Sequence, residues 1–271
     1  MGDIDPTAQY HLHLKEGDVG RYVLLPGDPG RVPQIAAYFD SAHEVVFNRE
    51  FRTYTGTVDG IKVSCTSTGI GCPSTAIAVE ELIKVGADTF IRVGTAGSLQ
   101  PAVGLGDLCI TTGAVREEGT TRQYVPLSYP AVANVDVVCA LRDAARALGF
   151  KHHTGISHCK DAFFIEGDCD IPLEDENRSL WKAWRRSNVL STAMESAALF
   201  VVSSIRCVRA GEILAIIGLT YDDHPVLTKI GADDAIKTAI EAIKILDRSE
   251  RMPAGLGHRP SPPNPKEEPR P

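Results

Sequence analysis

Several strings that would betray a chemistry on sight are missing from this chain. It has no P-loop, no HExxH and no G-x-S-x-G elbow, which leaves out the usual signatures of nucleotide hydrolysis, zinc proteolysis and serine esterase chemistry. Basic charge is also scarce. A formal net charge of −7 argues against a general binder of nucleic acid or of a membrane surface, although local arginines could still dominate one small pocket. Apolar runs stay short of the length a membrane span needs, and "MGDIDPTAQYHLHLKEGD" lacks the charged-then-apolar layout of a signal peptide. Cysteine numbers seven, an odd count without CxxC spacing, and most lie within apolar runs such as "KVSCTS" and "DLCITT". Neither a disulfide framework nor a zinc site is expected, and a cytoplasmic location is.

What is present suffices for a sizeable core: 271 residues, 43% of them hydrophobic, as one large α/β domain or two small ones. Two pieces are peripheral. Residues 1–9 are polar and read as a flexible N-terminus. Residues 252–271 hold seven of the seventeen prolines and read as a disordered tail. Residues 10–251 between them form the expected domain.

Within it, strands alternate with helices. "RYVLL", "KVSCTS", "TFIRVG", "DLCITTGAV" and "EILAIIGL" read as strands covered on both faces. "STAIAVEELIKVG" reads as a helix capped by Ser74 and stopped at Gly86. "VDVVCALRDAARALG", "MESAALFVVSSIRCVRAG" and "ADDAIKTAIEAIKILD" read as further helices. The rhythm predicts a three-layer α/β/α single domain. Residues 151–190, weakly periodic and charged, read as an insertion or lid near the site.

Four segments bring arginines and glycines to strand ends: "PGDPGR" (26–31), "NREF" (48–51), "TGIGCPST" (68–75) and "IRVGTAG" (91–97). In open α/β sheets ligands collect at the carboxyl ends of strands, so these turns are expected to converge. Each has an ordinary reading too. "PGDPGR" fits a surface turn as well as an anion site made by Gly27 N–H groups and Arg31. Arg92, inside an apolar run, needs either a buried carboxylate or a ligand. Arg49 also fits a solvated strand edge, and "YHLHL" an edge strand with His11 and His13 outward. "GIGCPS" lacks the third glycine of a dinucleotide loop, so a packing turn serves as well and a dehydrogenase is a distant reading.

Together the strings "YHLHL", "PGDPGRV", "NREF", "STGIGCPSTAIAVEEL", "IRVGTAGSLQP", "GDLCITTGAVR" and "AMESAALF", in order over roughly residues 10–250, resemble the hexameric nucleoside phosphorylases, and the uridine phosphorylase branch in particular. The resemblance implies a mixed central β-sheet, inorganic phosphate as co-substrate, no organic cofactor, and a homohexamer built as a trimer of dimers. By similarity, Gly27, Arg31, Arg92 and Thr95 would bind phosphate, with Arg49 supplied by a neighbouring subunit. His11, also from the neighbour, would hold the ribose 5′-hydroxyl, while Met194 and Glu195 bind the ribose. Arg92, Arg31 and Glu195 would carry the catalysis. Ala96, Gly97, Phe163 and Glu166 would face the base, and Glu50, Ile70 and Ser74 would hold a monovalent cation, usually potassium.

The base half departs from the pattern. Uridine enzymes read uracil with a glutamine and an arginine just after the phenylalanine, whereas "FFIEGDCDIP" has Glu166 near the glutamine's place and no arginine before Arg178. An ionised carboxylate cannot donate to a carbonyl. Ala96 and Ala193 replace a threonine and an acid. Asp222 and Asp223 in "IIGLTYDDHP" lie several residues late for the aspartate of purine-specific relatives. Three expectations follow: phosphorolysis of uridine or a related pyrimidine nucleoside, of a purine or modified-base nucleoside, or a non-catalytic paralogue.

Overall fold

A computed structural model of the chain describes residues 6–166, 169–220 and 230–251. Its sheet is organised around two strands buried on both faces. β1 (Tyr22–Leu25) lies between β4 (Ile61–Thr66) and β5 (Thr89–Ser98), parallel to both. Because successive side chains of a strand point to opposite faces, Tyr22 and Leu24 enter one core while Val23 and Leu25 enter the other. The first core is closed by α1 (Val32–Ala36), α3 (Val135–Ala147) and α6 (Ala232–Arg251). The second is closed by α2 (Cys72–Lys84) and α5 (Ser196–Ile205), whose Val79, Leu82, Leu199 and Phe200 are fully buried. Each such side chain contributes about 1.5–3 kcal/mol by leaving water. The expected three layers are present.

Beyond β4 the sheet continues through an antiparallel hairpin, β3 (Phe51–Val58) and β2 (Ser41–Asn48), joined by Arg49 and Glu50. Beyond β5 it curls. β10 (Arg209–Leu219) pairs parallel with β5 and antiparallel with β6 (Leu108–Glu117). β6 carries the short β7 (Ala131–Val132) and runs parallel to β8 (His152–Lys160), which pairs with β9 (Ser191–Ala193). β9 returns to the last two residues of β5, Gly97 and Ser98. The mixed sheet therefore closes on itself around the carboxyl end of β5.

The structure corrects several sequence expectations. Residues 151–190 are no irregular insertion: they contain β8, inside the sheet, and α4 (Glu174–Arg186), whose Trp181 packs with Leu99 and Val189. Polar side chains at His158 and Lys160 disguise the strand; both are buried, with polar partners in Glu117, Thr192 and Glu166 and the Trp181 ring beside them. Ser74 does not cap α2. The helix starts after Gly71, at φ 89°, so Ser74 lies in the first turn and its hydroxyl donates to Glu50 Oε1 at 2.7 Å. α5 ends at Ile205, and Arg209–Gly211, expected to be helical, begin β10. "YHLHL" is a turn rather than a strand: His13 has φ 54°, while Leu12 and Leu14 anchor it in the second core. Gln9 bonds to the backbone of Leu14 and His13, and α6 runs to Arg251; residues 1–5 and the expected tail at 252–271 lie outside the described residues.

Candidate active site

The turns at the ends of β1 and β4 meet. Gly69 N–H donates to the Gly27 carbonyl at 3.0 Å, and a side chain at Gly27 would stand 3.2 Å from the Gly69 oxygen, so the backbone fits closely there. Asp28 is occupied in the turn itself, accepting the Gly30 N–H at 2.8 Å. Arg31 follows, partly buried, and makes no side-chain hydrogen bond or ion pair among the described residues. Its guanidinium is held below its ordinary pKa, first by withdrawal from water and then by the nearby charge of Arg92, with Asp28 and Glu195 offsetting in part. Two adjacent cations, one of them unpaired, make a place prepared for an anion.

Arg92 projects from β5 and is 5% exposed. It pairs with Glu195 through Nη2 and with Glu212 of β10 through Nη1, the latter at 3.0 Å. Burial is the largest single influence on Arg92 and lowers its pKa, but the two carboxylates together outweigh it and the net shift is upward. The buried-carboxylate reading of Arg92 is thus correct, without exhausting the residue: its buried Nε has no hydrogen-bond partner among the described residues. Glu195 lies between β9 and α5. Its carboxylate accepts from Gly71 N–H at 2.9 Å and Met194 N–H at 3.2 Å, tying the glycine turn before α2 to the end of β9. Thr95 and Gly97 sit half-exposed farther along β5, so Gly27, Arg31, Arg92, Thr95, Met194 and Glu195 gather at one end of the sheet.

A second group lies at the β2–β3 turn. Arg49 is exposed, has φ 54°, and makes no side-chain bond or ion pair among the described residues. Such a backbone is uncommon for a residue other than glycine. Its neighbour Asn48 donates to the His11 carbonyl at 2.7 Å, so Arg49 and His11 share one edge of the molecule. Glu81 of α2 holds His11: it accepts the Leu12 N–H at 2.8 Å and contacts His11 Nδ1 at 2.6 Å. Glu50 and Ser74 meet directly, and Ile70 beside them is 77% exposed.

The base-side residues are dispersed. Ala96 is not available there through its side chain, which packs with Cys109, Ala193, Leu214 and Ile216. Gly97 pairs with Thr192 of β9, and a methyl group on it would fall 2.5 Å from Thr220 Cγ2. Phe163 is 54% exposed at the start of the turn after β8, and Glu166 ends that turn in an ion pair with Lys160 at 2.6 Å. Arg178 is engaged with Glu174 and Asp175 on α4. Asp222 and Asp223 lie outside the described residues.

Sequence reasoning missed Glu212, Glu81 and Lys160. Glu212 carried a signal like the one that singled out Arg92, a charge at the start of an apolar strand run, whereas Lys160 follows the polar stretch "HHTGISHC" and had no such signal. Glu81 stands among α2 residues whose helical spacing marks its face as buried, but nothing local ties it to His11.

Comparison with known proteins identifies the family. Residues 21–248 match the phosphorylase superfamily. The uridine phosphorylase of Treponema pallidum (strain Nichols) is 47% identical over 243 residues, which is 88% of this chain and 94% of that protein. The uridine phosphorylase of Thermococcus kodakarensis is 46% identical over 254 residues, 93% of this chain and 91% of that one. The guanosine phosphorylase of Halorubrum lacusprofundi is 38% identical over 250 residues, 89% of this chain and all of that one. With the match spanning the sheet from β1 to α6, and with it every strand that supplies the arginine and carboxylate cluster, this chain belongs to the phosphorylase superfamily.

Proposed function

We propose that this chain is a pentosyltransferase that catalyses reversible phosphorolysis of uridine or a related pyrimidine nucleoside, yielding the free base and pentose 1-phosphate. The observation that carries the reading is the buried Arg92–Glu195 pair with unpaired Arg31 beside it. Phosphate has to be held against the anomeric carbon while the glycosidic bond lengthens and the sugar gains positive charge. Arg31, Arg92, Thr95 and the Gly27 turn would orient the dianion, whose charge faces the cationic sugar. A carboxylate has about four acceptor positions, so Glu195 retains one for a ribose hydroxyl while bound to Arg92, Gly71 and Met194, and Met194 would pack on the sugar. No covalent enzyme intermediate is required.

Charge supports assembly. Arg31 and Arg92 are balanced by Glu195 and Glu212, so a bound dianion calls for a further cation. Arg49, exposed and unengaged on the same edge as His11, would supply it across a subunit contact, in a trimer of dimers with His11 on the ribose 5′-hydroxyl. Glu50, Ser74 and the Ile70 carbonyl would hold potassium at that contact. Phe163 and Gly97 would face the base, and a cytoplasmic location suits the proposed salvage role. No helix among the described residues is long and apolar enough to cross a membrane.

A second reading, phosphorolysis of guanosine, draws on the acceptor Glu166 in the base segment and on the similarity to a guanosine phosphorylase. The test is phosphate-dependent release of free base from uridine, thymidine, deoxyuridine, cytidine, inosine, adenosine and guanosine. Uridine turnover with stoichiometric use of phosphate is expected. Turnover of guanosine alone would favour the second reading, and silence on the whole panel would leave the non-catalytic paralogue.

A further inference from the structure

A buried lysine stands where the proposed site lacks its means of reading a base. Lys160, the last residue of β8, is 2% exposed. Of its three N–H donors one goes to Thr192 Oγ1 at 2.9 Å and one to Glu166 Oε1 at 2.6 Å, which leaves a third. Its Nζ lies 6.0 Å from the centre of the Phe163 ring and 5.5 Å from that of Trp181. Thr192 in turn is the strand partner of Gly97. The lysine is therefore linked to both ends of the expected base pocket, through Thr192 to Gly97 and directly to the Phe163 turn. Glu117 nearby is hydrogen-bonded to other groups, His158 Nε2 and Trp184 Nε1–H, the latter at 3.0 Å.

We infer that Lys160 and Glu166 form the base-reading pair of this enzyme, the ammonium donating to a ring carbonyl and the carboxylate accepting from the neighbouring ring N–H. The inference rests on the phosphorolysis reading above. Held side by side, the remaining donor of Lys160 and the free lone pairs of Glu166 complement a –CO–NH– edge, as uracil and thymine present it, and guanine likewise. An ionised carboxylate that could not donate to a carbonyl becomes useful once the lysine does the donating. The pair also answers what stabilises the departing base. A phosphate oxygen bonds to C1′ as the C1′–N bond breaks, and the base leaves with the bonding electrons. Its negative charge spreads onto the carbonyl beside Lys160, and the proton lost by hydrogen phosphate reaches the base through solvent.

The experiment compares substrates across variants. Wild-type enzyme should turn over uridine well above cytidine, whose edge has the opposite sense, and should discriminate against 3-methyluridine, which lacks the ring N–H, by on the order of 100-fold. Lys160→Met should lower kcat on uridine by roughly 100-fold or more, with a smaller loss on 5-fluorouridine, a base of the same shape that leaves more readily. In Glu166→Ala, whose folding is checked by thermal unfolding because the buried Lys160 loses its counter-ion, the discrimination against 3-methyluridine should fall to less than about 10-fold. Equal losses on uridine and 5-fluorouridine would assign Lys160 a packing role and overturn its part. Undiminished discrimination in Glu166→Ala would overturn the carboxylate's part. An inactive wild type would instead remove the phosphorolysis reading itself, and the pair's role with it. If guanosine is the substrate, 1-methylguanosine takes the place of 3-methyluridine and the same outcomes decide.

Discussion

Replacing Arg92 by methionine tests whether its charge serves the fold, the chemistry or both. The substitution keeps most of the side-chain volume but leaves Glu212, fully buried, and Glu195, nearly so, without their common cation. Removing one partner of a buried ion pair costs about 3–5 kcal/mol, a large share of the stability of an ordinary domain. The urea midpoint should fall by about 1 M or more. Turnover should fall by roughly 100- to 1000-fold as well, since a positioned donor to the reacting phosphate is gone. The two losses are separable. In Arg92→Met/Glu212→Gln one of the two carboxylates left without a cation is neutral, and the glutamine oxygen can still accept the Ser196 hydroxyl that Glu212 now accepts at 2.8 Å, while Glu195 keeps only its two backbone N–H donors. The double variant should regain part of the urea resistance, because Glu195 alone then lacks its cation, and none of the phosphorolysis. Recovery of both would show that Arg92 serves only to neutralise carboxylates, and the phosphate cradle would have to be placed elsewhere. A single variant as stable as wild type would refute the ion-pair argument at its root.

Two further outcomes are expected. Glu81→Ala should lower stability by about 1–3 kcal/mol, because the N–H groups of His11 and Leu12 lose their acceptor, and should slow turnover by releasing the His11 ring; thermal unfolding and kcat/KM on the same preparations check both parts, and full activity in that variant would detach His11 from the site. Asp107 should govern part of the acid response. Burial, the largest influence on it, raises its pKa, yet the hydrogen bonds from Lys151, His153 and the Gly104 N–H together bring it below its ordinary value. A carboxyl whose pKa is lower folded than unfolded contributes stability that is complete above the unfolded value, about 4, and fades as pH falls through the folded one. Urea midpoints measured from pH 6 to pH 3 should therefore decline less steeply in Asp107→Asn than in wild type, and parallel declines would count against the assignment.

The sequence by itself determined the alternation of buried strands and helices at the centre of the fold, and the family. Its strands announce themselves where both faces are apolar, as in β1 and β5, and α3 and α6 keep a strict helical period between clear stops. The glycine turn marked Gly27 and Arg31 at a strand end, and Arg92 stood out because a charge in an apolar run demands a partner. What it concealed was whatever depends on segments far apart in the chain. β8 looked like loop because its buried face is polar, and polar burial becomes intelligible only when Thr192, Glu117 and α4 are brought against it. Glu212 lies 120 positions from Arg92 and Glu81 lies 70 from His11, so neither pairing can be read locally. The curl that returns β9 to the end of β5 decides the site, setting Glu195 against Arg92 and joining Lys160 to Gly97 through Thr192. That closure is a property of strand pairing between distant residues, and only the tertiary structure could supply it.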